Sequence, residues 1–489
     1  MSTTTGLLET GQRDAILAGL RRFMEPPAWL GPAGHAEPVR AALERQVPEF
    51  ASGALAIREL VVKRMRLKKG QGGWTGQYEL SVAAPGAEPR AVMLFARLIP
   101  PGLPEPDLAG AQAAFGEPDW RCYLPDLRLE LQTQPADPAL PALPLLTDPA
   151  QARELLERGI RACSPAYADI SIQSCTIKHL RYKPGSRATV VYELKYAPEH
   201  AARNWPPIVV AKTYSGSKGQ NAYDGMAALW ASPLASGDLV TIAEPLAYLP
   251  DLKVLVQGPI YEEQTLEDLL KASVKAGTPE ALGQLDEYMR KTAAGLAALH
   301  QSGVSYGETI TWEDELAEVR EVIERLASMI PSLADAAESL LQHLELLAAE
   351  TPPDPALPAH RAFRPAQVLI HQGKIGFIDF DGFGQSEPAL DLSRFTRKTR
   401  ALGLDVGKVD PNSPSGLERL AQMEAICEEF LGEYEQRVPV SRRRIALWEA
   451  LDLLTLVLYC WTKIEPERLN SNMLLLERHL KVSGLLNPA

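Results

Sequence analysis

The sequence predicts an α+β fold in which a strand-rich region precedes a mostly helical one. Three observations lead there. Runs of β-branched and alternating apolar residues fill residues 55–98 and return over 169–257. From Thr265 onward the apolar residues recur at helical spacing. One strand-like island, residues 367–380, interrupts the helices and carries polar residues at both ends. Strands segregated from helices indicate α+β rather than an alternating parallel-sheet fold.

Taken in order, residues 1–45 read as an N-terminal helical segment, with Ile16, Leu20 and Phe23 on one face. Strands are expected at 56–62, 77–82 and 92–98. The proline-rich stretches 100–106 and 135–149 lack N–H groups that a ladder needs, so they read as loops. Residues 151–162 read as a short joining helix. Strands follow at 177–183, 188–195 and 208–214, a helix at 221–231, and strands at 239–247 and 253–257. The later helices are placed at 282–301, 312–329, 332–350, 416–437 and 441–464. The expected division is 1–45, 46–150, 151–168, 169–260 and 261–489.

Composition narrows the function classes. With 489 residues the chain has room for two to four units of roughly 150 each. Apolar residues at 46% and charged residues at 23% are those of a globular chain and exclude global disorder. A net charge of -12 argues against non-specific nucleic-acid binding. No uncharged apolar run reaches the roughly 18 residues of a spanning helix, so no membrane role is expected. Glu9 and Asp14 break any leader-like order at the start. The five cysteines are scattered and the eight histidines form no ligand motif. Reduced thiols in a cytoplasm are the expectation, and a metal held by Cys and His is not.

An internal repeat runs through the strand-rich regions. Tyr123-Leu124-Pro125-Asp126-Leu127-Arg128 returns as Tyr248-Leu249-Pro250-Asp251-Leu252-Lys253, followed by Gln132 or Gln257. Arg66-Leu67-Lys68-Lys69-Gly70 matches Arg181-Tyr182-Lys183-Pro184-Gly185, and Tyr78-Glu79-Leu80 matches Tyr192-Glu193-Leu194. Phe95-Ala96-Arg97 falls where Val210-Ala211-Lys212 falls. The offset stays between 114 and 125 residues and the order is kept. Residues 46–150 therefore read as a diverged copy of the later strand-rich region, a two-copy duplication rather than an array.

Chemistry concentrates at three places. Lys212 lies on an apolar strand, where an ammonium is costly unless it meets an anion such as a phosphate. The segment His360-Arg361-Ala362-Phe363-Arg364-Pro365-Ala366-Gln367 is a polar loop leading into a strand. Ile378-Asp379-Phe380-Asp381 and Pro388-Ala389-Leu390-Asp391-Leu392 follow. A strand pair ending in carboxylates suits magnesium, which takes one or two of them together with phosphate oxygens. Residues 308–350 hold eleven carboxylates and two arginines, and Asp314, Glu318, Glu321 and Glu324 are spaced as a solvated helix face.

Over roughly residues 169–400 the chain resembles the aminoglycoside-phosphotransferase-like kinases, a branch of the protein-kinase-like fold. The resemblance rests on Tyr-Lys-Pro-Gly before a strand, Val-Ala-Lys, Tyr-Leu-Pro-Asp-Leu, Gln-Val-Leu-Ile, Ile-Asp-Phe-Asp and Pro-Ala-Leu-Asp-Leu in that order. It implies a two-lobed body, with an antiparallel-sheet lobe and a helical lobe clamping ATP. It implies further that Lys212 meets the α/β-phosphates and that Asp379, with Gln367, holds magnesium. The turn at residues 183–187, with Lys183 and Gly185, would cover the nucleotide. Residues 256–259, including Gln257, would be the adenine-side hinge, and Asp391 with His360 would brace the catalytic loop.

Two departures qualify the expectation. Ala362 stands where the family places its catalytic Asp, which takes or orients the proton of the attacking hydroxyl. No obvious glutamate stands where the family pairs one with the strand lysine, and Asp224, at a plausible distance in sequence, is shorter. Arg97 replaces the lysine in the first copy, which should not bind nucleotide. The resemblance thus implies a phosphotransferase homologue that binds ATP and Mg²⁺ but is catalytically impaired. The other reading is a pseudokinase acting as a regulatory or interaction module. The acceptor, whether a small molecule, and any protein partner stay open.

Overall fold

The computed structural model describes residues 10–67, 72–106, 113–133, 137, 139–183, 185–200, 202–410 and 412–486. The chain divides into two units. The first comprises Met1–Asp137, Leu316–Leu346 and Leu453–Ala489, and the second Pro138–Glu315 and Leu347–Asp452. Residues 1–9 of the expected N-terminal segment, Lys68 to Gly70 of the repeat and Pro184 of the expected nucleotide turn lie outside the described residues.

In the first unit five strands make an antiparallel sheet: β1 (Ala56–Leu67), β2 (Trp74–Ala83), β3 (Arg90–Leu98), β4 (Arg121–Leu124) and β5 (Leu129–Thr133). Their spatial order is β1-β2-β3-β5-β4. Period-two alternation sends Trp74, Tyr78, Leu80 and Val82 of β2 into the core. The aromatic tips there find partners. Trp74 Nε1 donates to the Trp461 carbonyl at 2.9 Å, Trp461 Nε1 to the Phe23 carbonyl at 3.0 Å, and the Tyr78 hydroxyl to the Ala33 carbonyl. Ile16, Leu20 and Phe23 are buried, as their spacing implied.

The second unit carries β6 (Ser174–Lys183), β7 (Arg187–Lys195), β8 (Ile208–Tyr214), the two-residue β9 (Thr241–Ile242), β10 (Pro245–Leu249) and β11 (Val254–Gln257). Without β9 they form a sheet ordered β10-β11-β8-β7-β6, the order of the first sheet. Both Pro-Asp-Leu segments fold as one 3₁₀ turn ending on a left-handed residue, Arg128 at φ 50° and Lys253 at φ 51°. The registers correspond too. Arg97 pairs with Thr75 and Glu130, and Lys212 pairs with Thr189 and Leu255.

The helix Pro149–Cys163 closes one face of the second sheet. Asp148 caps it, accepting from the Ala150 and Gln151 amides at 2.9 and 3.1 Å. Leu156 and Ile160 share a core with Val190, Tyr192, Val209, Ala211, Val254 and Val256. Each such large side chain contributes roughly 1.5–3 kcal/mol on burial.

The strand island at 367–380 is a hairpin of Val368–His371 and Lys374–Phe377, flanked by Gln264–Thr265 and by β9. The single strand expected over 239–247 is two, because the chain changes sheets before Pro245, which has no N–H to continue a ladder. The helix expected from 332 starts at Glu338, after a 3₁₀ turn at Pro331–Leu333. Pro388–Asp405 is an unanticipated helix that opens on its proline, the first-turn position where a missing N–H costs nothing. The helix Arg442–Thr462 is long and apolar enough to cross a membrane by length and composition, yet 72% of its most apolar window is buried. It reads as a core helix. All five cysteines are free.

Candidate functional site

The site is built where β8 meets the turn after Lys374–Phe377. Lys212 and Tyr214 stand two residues apart on β8 and so share a face. The β7 register sets Arg187 opposite Tyr214. From the other side, Asp379 adopts a left-handed conformation at φ 74°, uncommon for a non-glycine residue, and Phe380–Gly382 make a 3₁₀ turn. That turn presents both Asp379 and Asp381 to Lys212 and Arg187, and Asp381 also to Tyr214.

The contacts are specific. Lys212 Nζ lies 3.7 Å from Asp379 Oδ1 and 3.9 Å from Asp381 Oδ1. Arg187 Nη1 bridges both acids, at 3.3 Å from Asp379 Oδ1 and 2.7 Å from Asp381 Oδ2. The Tyr214 hydroxyl donates to Asp381 Oδ1 at 2.8 Å. Gln367 Nε2 approaches Asp379 Oδ2 at 3.4 Å, and Gln367 Oε1 is buried without a hydrogen-bond partner. Burial raises the Asp379 carboxyl, but Lys212, Arg187 and His360 outweigh it and hold the group below its ordinary range. For Asp381, burial and the neighbouring Asp379 charge prevail over Lys212, Arg187 and the Tyr214 hydroxyl, and its value is raised.

Behind this cluster the loop from His360 is anchored on Asp391. The His360 amide donates to Asp391 Oδ2 at 2.7 Å, and His300 Nε2 lies 3.3 Å from the same oxygen. His300 Nδ1 in turn sits 2.6 Å from the Tyr434 hydroxyl. His360 Nε2 bonds the Ile378 carbonyl at 2.9 Å, tying this loop to the residue before Asp379. Arg361 is left-handed at φ 62°, and Arg394, itself paired with Glu315, donates to its carbonyl. Ala362 is exposed and offers no acceptor.

The sequence-derived residues are thus partly assembled. Lys212, Asp379 and Gln367 come together, and His360 with Asp391 forms the brace behind them. Lys183 is exposed at the end of β6. Partial desolvation of its ammonium beside the neighbouring elements, then Arg187, Arg181 and Arg364, lower its pKa against the pull of Asp379. Gly185 takes the left-handed φ of 62° that the β6–β7 turn requires. Gln257 is buried at the end of β11, paired with Val210 and Pro245, and no described hydrogen bond joins it to the carboxylates. Asp224 does not meet Lys212; it accepts from Gln220 at 2.8 Å and Tyr306 at 3.3 Å. The lysine's partners are Asp379 and Asp381 instead. Arg187, expected in the turn over the nucleotide, meets the two acids instead, Asp381 is one of the strand-end carboxylates that the sequence showed, and Tyr214 is a partner that no motif marks. The alternation of Lys212 and Tyr214 was the available signal. Asp314, Glu318 and Glu324 are exposed and Glu321 is partly so, as a solvated face requires.

Residues 230–409 match the model of the phosphotransferase enzyme family, APH. The chain carries an APH-family domain. The match covers the His360 loop, Gln367, Asp379 and Asp391 and begins after Lys212 and the 183–187 turn. The α+β, protein-kinase-like architecture expected from the sequence holds for this APH-family domain. A glucosamine kinase in complex with glucosamine, ADP and inorganic phosphate is 16% identical, with a TM-score of 0.46, covering 69% of this chain and 86% of that one. A choline kinase from Cryptosporidium parvum Iowa II is 13% identical, with a TM-score of 0.45, covering 68% and 97%. A thermostable mutant of an aminoglycoside phosphotransferase is 14% identical, with a TM-score of 0.41, covering 64% and 95%. No curated protein matches the sequence.

Proposed function

We propose that the APH-family domain binds ATP with magnesium and is an impaired phosphotransferase. The observation that carries this is the meeting of Lys212 with Asp379 beside an unpartnered Gln367 oxygen, in front of a loop whose position 362 is alanine. The donor set fits magnesium. Two carboxylates and one amide oxygen are hard ligands, and the buried, unsatisfied Gln367 Oε1 is an acceptor that a cation would satisfy. Magnesium bound there would offset phosphate charge and orient the terminal phosphoryl group.

The protein's own residues have separable parts in this reading. Lys212 supplies a fixed ammonium for the phosphates, and Lys183 adds charge from the turn over them. Gln257 ends the strand that leads to the helical part, where an adenine edge would lie. Asp391 and His360 hold the loop still. Position 362 supplies no base, so the acceptor's proton leaves to solvent. Such a loss typically costs about 10²–10⁴-fold, while positioning and electrostatics survive. The shared strand order, turn and register of the two sheets support a duplication. In the first sheet Arg97 pairs with Glu130 at 2.9 Å, leaving no lysine for a nucleotide.

Calorimetric titration of ATP with and without magnesium tests the binding. Metal-dependent binding that is lost in Lys212→Ala is expected, and no binding at millimolar nucleotide would refute the reading. Ala362→Asp should raise ATP turnover by about tenfold or more. An unchanged rate in a variant that still binds Mg·ATP would sink the missing-base explanation.

A further inference from the structure

The metal seat already faces a cation that belongs to the chain. Arg187, from the first position of β7, bridges Asp379 and Asp381 through one nitrogen, while Lys212 approaches both acids from β8. Two carboxylates thus face two basic groups, and the cluster is formally neutral. A divalent ion entering it would meet an arginine and a lysine at close range, with Gln367 Oε1 offering an unused acceptor. Coulomb repulsion across about 4 Å in a partly buried site is large enough to oppose entry.

We propose that Arg187 is a built-in counter-cation that closes the metal seat until a polyphosphate draws its guanidinium away. The inference rests on the nucleotide reading above and adds regulation to it. Arginine suits the role. Its planar fork bonds carboxylates and phosphates in the same way and stays charged throughout, so it can exchange one for the other. The position suits it too: Arg187 directly follows the turn of Lys183, Gly185 and Ser186, on the side from which phosphates would approach. The consequence is ordered assembly, with metal held weakly by the free protein and well only beside a polyphosphate.

The test uses Mn²⁺ alone, followed by the spin-resonance signal of the free ion, on the full chain. Arg187→Gln should bind Mn²⁺ at least about tenfold more tightly than the parent. Adding Asp379→Asn to Arg187→Gln should remove the gain. Arg187→Gln should also melt below the parent in chelator and recover with Mn²⁺, because it leaves two partly buried acids short of a partner. Equal Mn²⁺ affinity in the folded Arg187→Gln variant and the parent would overturn the proposal. Should that variant fail to fold, Arg187→Lys keeps the charge while losing the two-acid reach; a gain in Mn²⁺ affinity supports the proposal and parental affinity refutes it. Titration of Mn·ATP into the parent separates the two readings. Binding there without any gain in the arginine variants rejects only the role of Arg187. A gain in the variants without Mn·ATP binding rejects only the nucleotide.

Discussion

Asp391 has no surface in contact with water, yet it organises the loop in front of it. One oxygen takes both the His360 amide and His300 Nε2. His300 Nε2–H donates to Asp391, and His300 Nδ1 bonds the Tyr434 hydroxyl behind it. Burial raises the Asp391 carboxyl, but the bond and charge from His300, with those from His360, lower it overall. A depressed carboxylate contributes fully above its unfolded value of about 3.9 and loses that contribution as pH falls through the folded value. Asp391→Asn should therefore cost about 3–5 kcal/mol in urea unfolding at pH 7. The gap from the parent should narrow at pH 3; a gap that is constant with pH would show that Asp391 acts only by shape. The residue types at this brace were legible in the sequence. Its third and fourth members, His300 and Tyr434, were not, because they come from helices far along the chain with no motif to join them.

At the scale of elements, the helix Lys218–Trp230 fixes where the Asp379 turn sits. Asn221 and Gly225 are four apart and so lie on one face. Asn221 Nδ2 donates to the Phe383 carbonyl at 3.0 Å. A Cβ on Gly225 would fall 2.7 Å from the Phe383 ring, so the helix approaches this closely only because that side chain is absent. Gly225→Val should destabilise by about 1–3 kcal/mol through overpacking and weaken metal-dependent ATP binding with it. Calorimetry on the folded variant would separate the two effects, and unchanged stability would show the contact to be loose. Long periodic segments, and the three strands at 177–183, 188–195 and 208–214, could be read from the sequence because burial imposes their spacing. The short β4 and β5 could not be read from periodicity alone. Four or five residues between prolines carry too little pattern, and only the echo of the later Tyr-Leu-Pro-Asp-Leu segment pointed to them.

For the whole molecule, collinear matches in sequence anticipated two sheets of one strand order, but not the residues that each unit recruits. The first unit takes Leu316–Leu346 and Leu453–Ala489 from far along the chain, and no local pattern announces such returns. The site was half legible for the same reason. Lys212, Gln367, Asp379 and Asp381 lie in motifs, whereas the bridging of both acids by Arg187 and the bond from Tyr214 follow only once register and turn bring them together. One pair of equivalent positions carries a consequence for drift. Arg97 and Glu130 neighbour each other within one sheet, and the Arg97 side chain is 53% exposed, so the bond between them is worth at most about 1 kcal/mol. Either can change at little energetic cost. Lys212 answers instead to two half-hidden acids reached from another part of the fold; both of those answer to Arg187, and Asp381 to Tyr214 as well. The corresponding place is thus an exposed pair of small energetic weight in the first sheet and a position held by several mutual dependencies in the second.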